Sequence, residues 1–288
     1  MDQRTAIGID VGGTRIKAGR VSAAGAVLSQ TSVSTAKTPA EVLAQIDQLI
    51  AACEPARAAC IGIGVPSRVD FKTAKVFPGG FVDLSGLPLA GLLSNTEGRP
   101  VFVDNDGTMA LVAEARTGAA KGAADALMLT IGTGIGGAVM LGGKIVHGKA
   151  SAGQLGHITV ALDGPACACG RQGCLETFSS GTALRRLIRE AGLPSSTTAE
   201  ELTARNDPLA EEVIARWMKP LRAGIDSLVA TVDPEVVVLG GGLGSVAHRA
   251  LARFPPASDW FPCRVEPAAC GSEAGVIGAG LAALEHVA

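Results

Sequence analysis

IGIDVGGTRIKAGRV, residues 7–21, decides how this chain is read. An apolar run ends at Asp10, Gly12 and Gly13 turn the chain, and a second run follows from Arg15 to Val21. That pattern is a strand from Thr5 to Asp10, a tight turn and a second strand. Gly25 marks the next turn, and Val27 to Ser34 completes a meander. The pattern returns at about residues 126–147. Strands Ala126–Ile131 and Gly137–Leu141 are joined by the loop Gly132-Thr133-Gly134-Ile135-Gly136-Gly137, and Gly142-Gly143 turns into a third strand, Lys144–His147. Two halves that each begin with a glycine hairpin predict a duplicated nucleotide-binding α/β fold with a cleft between the halves.

The remaining elements fit that frame. Helical spacing runs from Thr38 to Cys53, with Pro39 at the first helical position. Cys60–Val65 and Val101–Val103 read as strands, Leu87–Asn95 and Thr108–Thr117 as helices. Further helices are expected at Gly181–Ala191, Thr198–Ala204 and Pro208–Thr231, with Pro220 kinking or breaking the last. A buried strand, Val236–Leu239, leads into Gly240-Gly241-Gly242, and a final helix spans Gly275–His286. The expected division is a small domain of residues 1–107 plus 275–288 and a large one of 108–274.

The chain has 288 residues and is 47% hydrophobic, enough for two domains with real cores. A net charge of −2 points neither to nucleic acid nor to an anionic membrane. No apolar run reaches the ~20 residues that span a bilayer. The start, MDQRTAIGID, lacks a signal pattern, so a cytoplasmic protein is expected. Cys53, Cys60, Cys263 and Cys270 are scattered singly and read as buried thiols.

Three glycine loops each follow a strand: Asp10-Val11-Gly12-Gly13-Thr14, the Gly132–Gly137 loop, and Gly240–Gly242. Without Cβ atoms, such turns bring backbone N–H groups close to phosphate oxygens. The second loop matches G-x-G-x-x-G, but a strand follows it, so it is not the dinucleotide motif that opens a helix. Asp104-Asn105-Asp106 stands just past a buried strand. A carboxylate there serves as a general base toward a hydroxyl, or as an Asx turn capping the next helix. His157, Cys167, Cys169 and Cys174 lie within eighteen positions, the ligand set of a tetrahedral structural zinc. His147 and His248 read as surface or core histidines.

Together IGIDVGGTRIKAGRV, VDND, LTIGTGIGGAVMLGGKIVHG, the histidine–cysteine cluster and VVVLGGGLG resemble the ROK family (repressor, open reading frame, kinase) over essentially the whole chain. The resemblance implies an actin-like ATPase fold with two domains flanking a cleft. It also implies an ATP-dependent sugar kinase that works as a cytoplasmic homodimer on a hexose or N-acetylhexosamine. Asp10 would orient hydrated Mg²⁺ and the γ-phosphate, with Gly12, Gly13, Thr14 and Lys17 beside the phosphates. Thr133 and Gly134 would form the second phosphate hairpin, and Gly240, Gly241 and Gly242 would lie near adenosine. Asp106 would be the catalytic base. Asn105, Asp83, Gln154, His157 and Glu176 would meet sugar hydroxyls, His157 with one ring nitrogen on zinc.

Four departures stand out. Gln154 replaces the family's usual glutamate, an amide that donates at one end where a carboxylate only accepts. Asp83 stands near a common asparagine, Ser67 replaces a usual glycine, and Gly107-Thr108-Met109 is atypical. Polyphosphate as donor and a non-catalytic sugar sensor are the alternative functions. A sugar-responsive repressor would need a DNA-binding domain ahead of the first strand, and only a few residues precede it.

Overall fold

The computed structural model describes residues 3–80, 82–93 and 96–287. It divides into two compact units. The first holds residues 1–122, 145–152 and 269–288; the second holds 123–144 and 153–268. Residues 108–122, 145–152 and 269–274, which the sequence reading put with the large domain, therefore pack in the first unit.

The first unit opens with the expected meander, β1 (Thr5–Val11), β2 (Arg15–Ser22) and β3 (Val27–Ser34). Helix α1 (Pro39–Ala52) starts at a capping box: Thr38 Oγ1 accepts from Glu41 N, and Glu41 reaches back to Thr38 N. It buries Val42, Ile46, Leu49 and Ile50, each contributing about 1.5–3 kcal/mol of hydrophobic stabilisation. The chain continues through β4 (Cys60–Val65), a two-stranded ribbon of β5 (Val69–Asp70) and β6 (Lys75–Val76), the short α2 (Leu89–Leu92), β7 (Val101–Asn105) and α3 (Asp106–Thr117). The expected helix to Asn95 is observed only as α2; residues 94 and 95 lie outside the described residues.

The second unit repeats the opening with β8 (Ala126–Ile131), β9 (Ile135–Leu141) and a short β10 (Lys144–Ile145). Then follow α4 (Glu176–Ser179), α5 (Gly181–Glu190), α6 (Ala199–Ala204), α7 (Pro208–Val232), β11 (Val236–Gly240), α8 (Gly244–Leu251) and β12 (Arg264–Pro267). Helix α7 runs through Pro220 without the expected break. Trp217, Met218 and Leu221 are fully buried around it, so packing holds the helical path despite the lost N–H. The last helix, α9 (Ala274–His286), belongs to the first unit.

The duplication is visible in the sheets. One runs β3-β2-β1-β4-β7 and the other β10-β9-β8-β11-β12. In each, the opening strands pair antiparallel and the later ones parallel. Ala6–Asp10 pair residue by residue with Cys60–Gly64, as Ala126–Thr130 do with Val236–Gly240.

Several glycines of the first unit are explained by α9. A Cβ on Gly8 would lie 1.9 Å from Val276 O, and one on Gly62 would lie 1.9 Å from Ala279 O. A Cβ on Gly278 would stand 1.6 Å from Met109 O in α3. The helix therefore sits on bare backbone of β1, β4 and α3, closer than side chains allow. No helix of the described residues is long and apolar enough to cross a membrane.

Candidate active site

In the first unit, Asp10 and Lys17 are cross-strand neighbours at the end of the β1–β2 hairpin. The turn is closed by Gly12 N donating to Arg15 O at 3.0 Å and by Thr35 Oγ1 donating to Gly12 O at 2.6 Å. Gly13 and Thr14 are exposed at its tip. Lys17 Nζ donates to Ser272 O at 2.7 Å, just ahead of α9. Asp10 faces Gly275 in the first turn of α9, where a Cβ would lie 2.5 Å from the Asp10 carboxyl carbon. Burial raises the Asp10 carboxyl above the ordinary carboxylate range, and the Lys17 charge partly offsets this.

The end of β7 meets both sequence readings at once. Asn105 caps α3, its Oδ1 accepting from Gly107 N at 2.9 Å and Thr108 N at 3.3 Å. Its Nδ2 donates to Ser67 O at 3.0 Å, leaving one amide hydrogen. Asp106 is the first residue of α3, and its Oδ1 accepts from Gly107 N at 2.8 Å. Burial first, and the charge of Asp10 second, push the Asp106 carboxyl up to about 7. A carboxylate poised near neutrality is what general-base chemistry at a hydroxyl requires.

Two neighbours differ from their sequence reading. His147 is not a bystander: its Nε2 lies 2.7 Å from the buried Asp104 carboxylate, and its ring stacks on Phe71 with centroids 4.1 Å apart. No sequence signal marks it, because its partner is 43 residues away. Asp83 is exposed in a local turn. Its Oδ1 accepts from Ser85 N at 2.9 Å, and the Ser85 hydrogen bonds hold its carboxyl below the usual carboxylate pKa.

In the second unit the other two glycine loops come together. Gly241, at φ +78°, lies against β8, where a Cβ would meet Ile131 O at 2.5 Å. Gly181 N donates to Gly132 O at 2.8 Å, and Thr182 Oγ1 donates to Thr133 O at 2.8 Å, so α5 starts on the β8–β9 loop. Glu176 closes on the same loop. Its Oε2 accepts from Ile135 N at 2.8 Å and fills the space left by the absent side chain of Gly134.

The sugar-loop candidates are fixed against β9. A Cβ on Gly156 would lie 2.0 Å from Ile135 O. Gln154 is half-buried where a 3₁₀ turn, Leu155–His157, begins. His157 turns its Nδ1 to 3.5 Å from Cys167 Sγ, and Cys169 Sγ lies 3.6 Å from Cys174 Sγ. All four donor atoms lie within 4.8 Å of one another. A tetrahedron of thiolates and imidazole around zinc has edges of about 3.5–3.8 Å, given bonds of ~2.3 and ~2.1 Å. Donor chemistry and spacing both fit that ion. They leave His157 Nε2 directed elsewhere. A cavity of about 690 Å³ between α5 and α7, lined by Phe178, Arg186, Leu187, Arg216 and Lys219, contains none of these residues.

Comparison with known proteins identifies the family of the chain. The ROK family's sequence profile matches residues 6–286. A glucokinase from Streptomyces coelicolor is 32% identical over 95% of both chains. An N-acetylmannosamine kinase from Escherichia coli is 30% identical over 97% of this chain and 98% of its own. A ROK-family glucokinase from Streptomyces griseus, solved with glucose and AMPPNP, has a TM-score of 0.82 at 30% identity, covering 98% of this chain and 99% of its own.

Proposed function

The chain belongs to the ROK family, and from that premise we propose that it is an ATP-dependent sugar kinase acting on the primary hydroxyl of a hexose or N-acetylhexosamine. The carrying observation is Asp106, the first residue of α3, whose carboxyl is pushed up to about 7 by burial and by the charge of the half-buried Asp10. Asp106 Oδ2 takes the proton as the 6-hydroxyl oxygen bonds to the γ-phosphorus. The bond to the β-phosphate bridging oxygen breaks and ADP leaves. Such transfer depends mainly on positioning and on neutralising charge.

Asp10 is the residue we assign to the hydrated Mg²⁺ of Mg-ATP, which supplies positive charge at the phosphates. Lys17 and the Gly12–Thr14 turn stand beside it, and Thr133, Gly134 and Gly240–Gly242 are the nucleotide loops of the second unit. Asn105, Gln154, His157 Nε2 and the free Oε1 of Glu176 are assigned to sugar hydroxyls. The zinc assigned to His157, Cys167, Cys169 and Cys174 is structural, since protein fills all four positions. Bound there, the ion would fix the tautomer of His157 through Nδ1.

The test is ADP release from Mg-ATP across glucose, mannose, N-acetylglucosamine and N-acetylmannosamine. At least one sugar stimulates turnover, and Asp106→Asn lowers kcat by about 10²–10⁴-fold. Wild-type turnover in Asp106→Asn would overturn the assignment of the base. Gln154→Glu shifts the kcat/KM ratio toward whichever sugar offers two hydroxyl donors at that position. An unchanged ratio removes Gln154 from the sugar contacts.

A further inference from the structure

Glu114 is a charged side chain that the reaction does not use, and it is fully buried in α3. No basic group pairs with it among the described residues. Its partners are backbone N–H groups: Oε2 accepts from Ala119 at 2.7 Å and Ala269 at 3.0 Å, and Oε1 accepts from Cys270 at 2.8 Å. Gly118 makes room, since a Cβ there would fall 2.0 Å from Oε2. A buried carboxylate persists only where its lone pairs are satisfied, and three amide donors meet that demand here.

Two of those donors open the segment that reaches the phosphate-side residues. Two positions past Cys270, Ser272 O receives Lys17 Nζ at 2.7 Å. Three further on, Gly275 lies against the Asp10 carboxyl. We infer that Glu114 is a positioning residue for Asp10 and Lys17, acting through the segment 269–275 that its carboxylate pins to α3. The inference rests on the kinase reading for its meaning, since Asp10 and Lys17 matter as the Mg-ATP residues.

The consequence is specific to the nucleotide. Glu114→Gln places an amide donor against backbone donors and loosens the segment. Outer-layer partners of metal-binding residues typically change affinity about tenfold or more. We expect Glu114→Gln to raise the KM for Mg-ATP and the half-saturating Mg²⁺ concentration about tenfold, with the sugar KM within twofold. Glu114→Asp keeps the charge and restores part of the loss. Arg116→Ala removes the exposed Arg116–Glu285 pair between α3 and α9 and leaves both KM values unchanged. Because Glu114 acts through the segment holding Lys17, Glu114→Gln and Lys17→Met together cost less than the product of their separate effects.

Titration calorimetry with Mg·AMPPNP gives a readout independent of turnover. If no sugar stimulates ADP release, the kinase reading falls, while weaker Mg·AMPPNP binding by Glu114→Gln still supports the positioning role. Should Glu114→Gln fail to fold, Glu114→Asp carries the same comparison. Unchanged Mg-ATP KM and Mg·AMPPNP affinity in the folded variant, or equal losses toward nucleotide and sugar, overturn the inference.

Discussion

The negative charge of Asp10 helps hold the proton on Asp106: it is the second cause, after burial, of the Asp106 carboxyl lying at about 7. A base must be deprotonated, so kcat/KM for sugar is expected to rise with pH and level off above about 7. Positive charge bound at Asp10 opposes its effect. Raising Mg²⁺ from limiting to saturating should therefore move the midpoint to lower pH. A pH–rate profile at two Mg²⁺ concentrations decides this. A flat profile between pH 5.5 and 8 would count against Asp106 as the base.

The same pair makes the protein less stable as pH rises. A carboxyl whose folded value lies above its unfolded value contributes stability below the unfolded value, and that contribution is lost as pH climbs through the folded one. For Asp106 the window runs from about 3.8 to about 7. Asp106→Asn removes the titration, so without Mg²⁺ it should melt above wild type at pH 8, by roughly 1–3 kcal/mol, or several degrees. The difference should vanish near pH 4. Melting curves at four pH values suffice, and a gap independent of pH would refute the account.

Zinc content tests the cluster directly. Purified protein should carry about one zinc per chain, and Cys174→Ser should lose most of it, because three ligands hold the ion less tightly than four. His157 Nδ1 points into the cluster. Its loss of a fixed tautomer should raise the sugar KM more than the Mg-ATP KM. Metal analysis with paired kinetics separates the two effects, and a zinc-free wild type sinks the assignment.

The close seat of α9 gives a packing test. Gly62→Ala would drive a methyl to 1.9 Å from Ala279 O and should destabilise the first unit by about 1–3 kcal/mol or more. Gly91→Ala, in α2 with nothing within 4 Å of its added methyl, should be neutral or slightly stabilising. Denaturant midpoints compare them. Equal midpoints would show that α9 yields easily.

The hairpins, the long helices and the metal cluster could be read from residues because each is local: a turn type, a repeat of 3.6, a spacing of ligands. Elements set by distant partners escaped. Helix α8 starts at Gly244 behind Leu243, with no side-chain cap, and β12 is a four-residue strand, Arg264–Pro267, too short for a repeat to mark it. His147 and Glu114 draw their meaning from groups 43 and 155 residues away. Gly8, Gly62 and Gly275 look like loose joints in a sequence, yet each marks where another backbone or a carboxyl presses close.

The matching registers of the two sheets let their residues be compared rung by rung. Asp10 and Thr130 hold the same rung, opposite Gly64 and Gly240. Gly8 corresponds to Met128 and Gly62 to Val238, and both of those bulky residues are buried. An ancestral half-fold copied once would have carried equal residues in both places. One half carries an anionic rung and bare middle strands under a helix, while the other carries a neutral rung and filled middle strands. The two halves share backbone wiring and differ in side chains, so residue pairs at equal rungs give a direct measure of how far their two duties differ.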